Sequence, residues 1–452
     1  MMKKIVVILP LFFLAACLVR AQSTVTTGRT EITKWQDGKK VALSLTYDDN
    51  TINQFRVALP LMNKFDFKGT FFTITGSVPG SQYKPKFIGR PVKQIIAETA
   101  KIPTNKSNFF ERASAIRFTG YADTYKYHVR AGELFEDGHV QQAYKVIDEG
   151  YAKIRAGDFK PSSNAAEAKK ELDYVLYIKP NVDLVTWKQL EKYAKEGHEI
   201  ADHSVSHSYL CVLDSVNLEY ELANSREDLL NHIGPNATFS AECPFGIEDA
   251  RVMRFAHRLY PALRNRMPRP YLDELDRASK ADPTKSDKEY VQWQRGPLTK
   301  TPMSLMKSWV DTSLKKNNIW LVLVFHGIDG IGWEPLTHQE LNEYFTYIKN
   351  RENTIWEATF KDVTKYMRER VAASVQTKKS ADKITVDLVH TLNPAIYTLP
   401  LTLKTYVPDN WNSVKIVQGD HQKVIKAGHD ADGSFVMYRA IPNEQVIVLT
   451  KG

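Results

Sequence analysis

Two adjacent carboxylates, Asp48 and Asp49, end the segment VALSLTYDDN at residues 41–50. The residues before them are apolar or β-branched, as in a buried strand. Neighbouring carboxylates repel each other, and each is costly to bury unless a cation or hydrogen bonds compensate for its charge. The doublet therefore indicates either a turn or a site that holds a positive charge.

Two histidines four residues apart would supply further ligands for such a charge. His203 and His207 lie in GHEIADHSVSH, residues 197–207, and on a helical turn this spacing directs both imidazoles to one side. A pair of surface or capping histidines is the alternative. One carboxylate and two histidines form a three-ligand site with open positions, the pattern of catalytic zinc. The second carboxylate is then free to take a proton from bound water.

The elements that position these residues alternate between strands and helices. Seven segments have the composition of strands: 41–49, 69–76, 198–204, 238–246, 290–296, 319–327 and 354–360. The alternation predicts an α/β fold with parallel strands, whose C-terminal ends meet on one face and so bring the aspartates and histidines together. Seven strands are enough to line an incomplete barrel.

Two regions depart from this alternation. From about residue 78 to 183, small and aromatic residues recur at helical intervals, which predicts a helical hairpin inserted between the second and third strands. The insertion either walls the cleft or lies far from it. After a linker, residues 377–452 show the strand period with turn residues between segments, which predicts a small all-β C-terminal module resembling a sandwich. The main domain is then expected to span residues 22–376.

The N-terminus predicts export. Lys3 and Lys4 precede an apolar run that is too short to span a bilayer and is typical of a secretory signal. Cleavage after Ala21 removes residues 1–21; the alternative is a lipobox at LAAC, which leaves a lipid anchor in the outer membrane on Cys17. We expect the protein to be periplasmic, on the cell surface or secreted by a bacterium.

Charge and cysteine content exclude some classes of function. The formal charge is +9 at pH 7, but no basic run with interleaved aromatics is present, so nucleic acid is not an expected partner. Beyond the signal only Cys211 and Cys243 remain. One disulfide between them is possible in an oxidising compartment, and two separate buried thiols is the favoured interpretation.

The segments TYDDN, HSVSH and VFHG occur in this order on strand ends. They resemble the motifs of one carbohydrate esterase family (family 4-like), the polysaccharide deacetylases with a NodB homology domain. The resemblance covers roughly residues 40–76 and 184–370. It implies a distorted (β/α)7-type barrel that binds a divalent metal, zinc or a similar ion. In this family Asp48 would be the general base, with Asp49, His203 and His207 as ligands.

The last motif of the family places a histidine that protonates the leaving group, and His326 in VFHG matches it. A core histidine at a strand end is the alternative. Asp329, three residues later, either orients His326 or stabilises a turn.

The third motif departs from the family pattern. The family has an arginine that pairs with the base aspartate, followed by Pro and an aromatic residue, but AECPFG carries Glu242 at the arginine position. Because a carboxylate cannot neutralise Asp48, another cation must do so, with Arg251 and Arg295 as candidates; otherwise Glu242 points elsewhere or activity is impaired.

Three further residues are expected to contact the substrate or its oxyanion. These are Phe245, through its backbone N–H, Tyr47 and Trp293. Trp309 competes with Trp293 for the tryptophan of the fourth motif, and either tryptophan could instead belong to the core.

The sequence thus predicts a metal-dependent hydrolase that removes N- or O-linked acetyl groups from a carbohydrate, with an acetylated glycan as substrate. Glu242 motivates one alternative, a non-catalytic carbohydrate-binding protein on a degenerate deacetylase scaffold. A non-haem iron oxygenase also uses two histidines and one carboxylate, but its ligands are usually set on an antiparallel jelly roll.

Overall fold

The computed structural model describes residues 27–163, 183–267 and 269–452. The predicted signal peptide with Cys17, and the part of the predicted insertion at 164–182, lie outside the described residues. The chain forms two compact units, one of Thr33–Ala373 with His390–Thr402 and one of residues 27–32 with Ser374–Val389 and Leu403–Gly452.

The larger unit is built on one parallel sheet, whose strands follow in chain order: β2 Val41–Tyr47, β3 Thr70–Thr73, β4 Glu199–Asp202, β5 Ser240–Ala241, β6 Ala262–Leu263, β7 Leu272–Leu275, β8 Tyr290–Arg295, β9 Ile319–Phe325 and β10 Ile355–Glu357. They lie in the order β6-β5-β4-β3-β2-β9-β8-β7, and β10 pairs with β2. Every pair is parallel. Since β6 and β7 are the two edges, the strands of the described chain form an incomplete barrel, as predicted.

The helices of this unit are α1 Leu59–Lys64, α2 Val92–Glu98, α3 Phe109–Ala115, α4 Tyr125–Glu136, α5 Val140–Ala156, α6 Trp187–Lys195, α7 Ser215–His232, α8 Ala250–Leu259, α9 Met303–Ser313, α10 His338–Lys349 and α11 Phe360–Ala372. Both faces of the central strands are covered, and all seven residues of β2 are buried. Burial on both faces explains why these strands are continuously apolar in sequence.

Successive side chains of β2 point to opposite faces of the sheet. Leu43, Leu45 and Tyr47 pack in the large cluster that also contains residues of α1, α9 and α10. Ala42 belongs to a different cluster, and Thr46 contacts Arg264 inside the barrel. Asp48 lies on the same side of the alternation as Ala42 and Thr46 and therefore faces the barrel interior.

The α/β fold class predicted from the sequence is confirmed, and each of the seven predicted strands contains an observed one. Two strands of this parallel sheet were not predicted. Ala262–Leu263 has two residues, too few to show a period, and Leu272–Leu275 reads LDEL, which lacks the β-branched and aromatic residues that mark a strand.

The insertion between β3 and β4 contains α2 to α5. Helices α4 and α5 pack on each other, so the predicted hairpin is confirmed. Gly132 lets α4 approach the loop after His207, because a Cβ at this position would lie only 2.3 Å from the Tyr209 ring. The insertion therefore packs directly on the segment that carries the histidines.

The smaller unit contains two sheets, which confirms the all-β composition predicted for the C-terminal residues. Its strands are β1 Thr30–Ile32, β11 Ala373–Lys379, β12 Lys383–His390, β13 Leu401–Tyr406, β14 Ser413–Gln418, β15 His421–Lys426, β16 Gly428–Asp430, β17 Gly433–Ala440 and β18 Ile447–Lys451. One sheet has the order β1-β13-β17-β16 and the other β11-β12-β18-β14-β15. The N-terminal strand β1, which pairs with β13, was not predicted; three residues give no detectable period.

Among the described residues, no helix combines the length and the hydropathy that a bilayer crossing demands.

Candidate active site

The aspartate doublet lies in a tight turn at the C-terminal end of β2. Asp49 and Asn50 have positive φ angles, 75° and 44°, a conformation in which aspartate and asparagine are enriched. The Asn50 side chain fixes this turn, since it accepts a hydrogen bond from the N–H of Ile74 (2.8 Å) and donates one to Ser77 Oγ (3.1 Å). Both aspartates are almost completely buried.

Asp49 meets the two histidines of the second motif. Its Oδ1 lies 3.5 Å from His203 Nε2 and 3.4 Å from His207 Nε2. His203 Nδ1 donates a hydrogen bond to the carbonyl oxygen of Glu242 (2.8 Å), which directs Nε2 toward Asp49. The residues predicted as metal ligands are thus brought together across 150 positions of the chain.

These three residues fit a divalent metal ion. One donor atom from each lies within 4.8 Å of the others. Asp49 Oδ1 is buried without a hydrogen-bond partner among the described residues, an arrangement that is costly unless a ligand completes it. Two imidazoles and one carboxylate are the donor set that zinc accepts in catalytic sites.

Asp48 is paired with an arginine that the sequence analysis did not select. Arg264 Nη1 and Nη2 each donate to one oxygen of Asp48 at 2.7 Å. Burial alone would raise the pKa of Asp48, but Arg264 and the nearby His326 outweigh it and hold this pKa well below its usual value. The carboxylate therefore stays ionised.

The prediction that Arg251 or Arg295 neutralises Asp48 was wrong. Arg251 donates to the carbonyl oxygens of Cys211 and Leu213. Arg295 donates to the backbone around residues 276–279 and lies over the Trp293 ring. The one signal for Arg264 was its place directly after the apolar pair Ala262–Leu263, and that strand was itself not recognised.

Arg264 also contacts Glu242, the glutamate at the arginine position of the third motif. Its Oε1 accepts from Asn265 Nδ2 (2.8 Å) and lies 3.2 Å from Arg264 Nη2. Burial raises the pKa of Glu242, although Arg264 acts against this shift. Glu242 thus contacts the same arginine that binds Asp48.

His326 lies on the other side of Asp48, with its Nε2 3.4 Å from Asp48 Oδ2. Gln54 donates to the carbonyl oxygens of both residues, at 2.5 Å to Asp48 and 2.8 Å to His326. Burial lowers the pKa of His326 to about 4. Asp329 accepts hydrogen bonds from His338, so it stabilises a turn and does not orient His326.

Of the predicted substrate contacts, Phe245 lies at the site and two others do not. Phe245, at φ 66°, stacks on Tyr209 and contacts the His207 ring. Tyr47 and Trp293 are buried in the core cluster on the opposite face of the sheet. Each is an immediate neighbour in a strand of residues that face the interior, so its own side chain points away. Trp309 also belongs to this core.

A cavity of about 380 Å³ connects these groups; it is lined by Asp48, Asp49, His203, His207, Glu242, Phe245, Gly246, His326, Tyr125, Val129, Glu133, Arg277 and Trp333. Tyr125, Val129 and Glu133 belong to α4, so the insertion forms one wall of the cavity. Tyr125 Oη also donates to the carbonyl oxygen of His207 (3.4 Å). The sequence left this role of the insertion open.

Cys211 and Cys243 are both buried and both free. The favoured prediction of two separate buried thiols is confirmed. Burial raises the pKa of each thiol, so neither has the character of a nucleophile.

A family model for polysaccharide deacetylases matches residues 134–260. This stretch contains His203, His207 and Glu242, whereas Asp48, Asp49 and His326 lie outside it. Among curated proteins, a gellan lyase from a Bacillus species is 26% identical over 275 residues, which are 57% of this chain and 11% of that protein. The chain thus spans about a tenth of the length of this relative.

Two solved structures are similar to the chain at low identity. A putative polysaccharide deacetylase from Mycobacterium smegmatis is 12% identical, with 76% of this chain and 95% of that chain covered and a TM-score of 0.36. The family 4 carbohydrate esterase PdaA from Bacillus subtilis is 12% identical, with 75% and 84% covered and a TM-score of 0.31. The match to the family model over residues 134–260 confirms the resemblance to the polysaccharide deacetylases that the motifs indicated.

Proposed function

We propose that this protein is a metal-dependent hydrolase that removes acetyl groups, N- or O-linked, from a carbohydrate. The observation that carries the proposal is the convergence of Asp49, His203 and His207, with donor atoms within 4.8 Å of one another, beside an ionised aspartate. The relationship to polysaccharide deacetylases supports the same reaction class.

The proposed cofactor is a divalent ion, zinc in the first instance, held by Asp49, His203 and His207. When bound there, such an ion polarises the acetyl carbonyl and lowers the pKa of a water molecule. The hydrogen bond from His203 Nδ1 to the Glu242 carbonyl supports this assignment, because it fixes the ring with Nε2 toward the ion.

Asp48 acts as the general base in this proposal. The double hydrogen bond from Arg264 keeps its carboxylate ionised and fixes its orientation, so that it can accept the proton of the attacking water. The backbone N–H of Phe245, at the cavity wall, donates to the developing oxyanion.

His326 donates the proton that the leaving nitrogen or oxygen requires. Its Nε2 lies 3.4 Å from Asp48 Oδ2, so the proton that Asp48 takes from the attacking water can pass to the neutral His326 and from there to the leaving atom within the same turnover. The bond that breaks joins the acetyl carbon to the sugar, and acetate and the deacetylated sugar leave.

The two alternatives lose their support. The degenerate binder was motivated by Glu242 at the arginine position of the family, yet Arg264 supplies the cation that pairs with Asp48. The oxygenase was expected on an antiparallel jelly roll, and here the ligands follow strands of a parallel sheet. The proposed substrate is an acetylated glycan outside the cytoplasm, where the proposed export signal would direct the protein.

The proposal is tested by acetate release from a panel of N- and O-acetylated oligosaccharides, with and without a chelator. Asp48→Asn should retain the metal but lose about 100-fold or more in rate, whereas His203→Ala should lose both metal and activity. His338→Ala, an exposed histidine bound to Asp329, is the matched control and should behave as wild type. Activity that resists the chelator, or wild-type rates in both site variants, would overturn the proposal.

A further inference from the structure

One cation on the cavity wall has no task in the proposed reaction. Arg277 lines the same cavity as Asp48, Asp49 and His326. Within the described residues it makes no hydrogen bond or ion pair. Arg264, which does not line the cavity, is by contrast bound to Asp48 and Glu242.

The turn that presents Arg277 is held rigidly. The Ser279 N–H donates to Asp276 Oδ1 at 2.7 Å, closing a turn over residues 276–279. Arg295 then donates to the carbonyl oxygens of Asp276 (3.2 Å) and Ser279 (3.0 Å), one on each side of Arg277. A guanidinium held in place before a ligand arrives loses less entropy when it binds.

The Arg277 side chain passes close to two glycines, and Gly296 makes room for it. A Cβ at Gly296 would lie 3.2 Å from Arg277 Cδ and 2.9 Å from the carbonyl oxygen of Val324. A Cβ at Gly246, where φ is 73°, would lie 3.9 Å from Arg277 Nη2. The side chain thus runs past backbone on both sides and its guanidinium lies beside the segment that carries Phe245.

The carboxylates near Arg277 have other cations as their partners. Glu242 Oε1 is bound by Asn265 and Arg264, while its Oε2 has no hydrogen-bond partner among the described residues and feels the charge of Arg277 without an ion pair to it. Glu133, which also lines the cavity, is bound by Arg130 at 2.9 Å. Asp48 has its own arginine, and Asp49 belongs to the candidate metal centre. An arginine without a partner in a cavity suits an anionic ligand, because its planar fork matches a carboxylate with two parallel hydrogen bonds.

We propose that Arg277 binds a carboxylate of the substrate, so that the protein deacetylates an acidic glycan, one whose acetylated sugar or its neighbour is a uronic acid. This inference rests on the proposed function for its reaction and on Arg277 for its substrate class. Arg277 is a specificity-determining residue and takes no part in the chemical step.

The test compares an acetylated uronic-acid oligosaccharide with its neutral methyl ester. The wild type should prefer the acid, and Arg277→Gln should lower the ratio of kcat/KM for acid over ester by about 10- to 100-fold, chiefly through KM. Lys280→Gln, an exposed lysine on the same loop, makes the same change in net charge outside the cavity and should leave this ratio at the wild-type value.

A binding measurement separates this inference from the reaction. Calorimetry with the unacetylated uronic-acid oligosaccharide should give binding that Arg277→Gln weakens and Lys280→Gln does not. If this result is obtained while no substrate releases acetate, the proposed function fails and the acidic-glycan inference holds. Equal affinity for acid and ester, or tighter binding of a sulfated or phosphorylated analogue than of the carboxylate, would overturn it.

Discussion

Arg264 and Asp48 form a bidentate ion pair at the centre of the barrel, with both N–O distances 2.7 Å. Arg264 reaches this position from the strand next to the one that carries Glu242, since Ala241 and Leu263 are register partners of β5 and β6. Arg264, the cross-strand neighbour of Glu242, therefore supplies the guanidinium that was expected at position 242. Both the cation and its aspartate are retained, and only the strand that supplies the cation differs.

Arg264→Gln should lose activity by about 100-fold or more, because Asp48 is no longer held in one orientation. The variant should still bind the metal, since none of the three candidate ligands contacts Arg264. It should also be destabilised by roughly 3–5 kcal/mol, because Asp48 and Glu242 are left as buried carboxylates without their cation. Acetate release, metal analysis and urea unfolding measure the three effects.

The double variant Glu242→Arg with Arg264→Gln is the sharper test of the exchange. It restores the arrangement of the family motif, so it should be more active and more stable than Arg264→Gln alone. A double variant that is no better than the single one would contradict the idea that position 264 replaces position 242.

Much of this site could be predicted from the sequence, for two reasons. Asp49 and His326 come directly after the long, apolar strands Val41–Tyr47 and Ile319–Phe325. His203 and His207 follow only the four-residue strand Glu199–Asp202, and their own spacing indicated them. Arg264 could not be found in this way, since a two-residue strand shows no period. The motifs could not place Tyr47 and Trp293 either, because neighbouring residues of a strand face opposite sides of the sheet.

Tyr47→Phe tests that correction directly. Tyr47 packs between the rings of Phe71 and Phe325, and its hydroxyl is buried without a hydrogen-bond partner among the described residues. Removal of an unsatisfied hydroxyl should raise the free energy of unfolding by roughly 1 kcal/mol and leave acetate release at the wild-type rate. A loss of activity without a loss of stability would instead restore Tyr47 to the site.

The insertion should contribute to metal affinity through Arg117. This buried arginine donates to the hydroxyls of Ser208 and Ser206, and Ser206 is also bound by Glu221. These contacts fix the loop between His203 and the residues after His207. Arg117→Gln should therefore weaken metal binding by about 10- to 100-fold, as measured by a metal titration.

Lys145→Gln is the control for Arg117→Gln, because Lys145 is exposed on α5 of the same insertion. It removes one positive charge without touching the loop and should leave the metal dissociation constant unchanged. Equal metal affinity in both variants would show that the loop keeps its shape without Arg117.

The stability of the protein should fall in acid partly because of His128. This buried histidine on α4 donates from Nδ1 to the carbonyl oxygen of Ala113 (2.9 Å) and accepts at Nε2 from the N–H of Tyr209 (3.1 Å). Burial, with the charge of Arg117, lowers the pKa of His128 to about 3. The neutral form is thus the one that the fold accepts, and its bond to Tyr209 requires that Nε2 carry no proton.

The sign of the pH effect follows from this depressed pKa. The unfolded chain protonates His128 near pH 6.5, whereas the folded chain does so only near pH 3, so the contribution is complete above pH 6.5 and is lost as the pH falls. His128→Gln offers one donor and one acceptor but cannot titrate. Between roughly pH 6 and 4 the wild type should lose up to about 1.4 kcal/mol per pH unit more than His128→Gln, as measured by urea unfolding in the presence of chelator. Parallel pH profiles of the two proteins would show that His128 is protonated in the folded state, and that the contact between the insertion and the histidine loop does not depend on its neutral form.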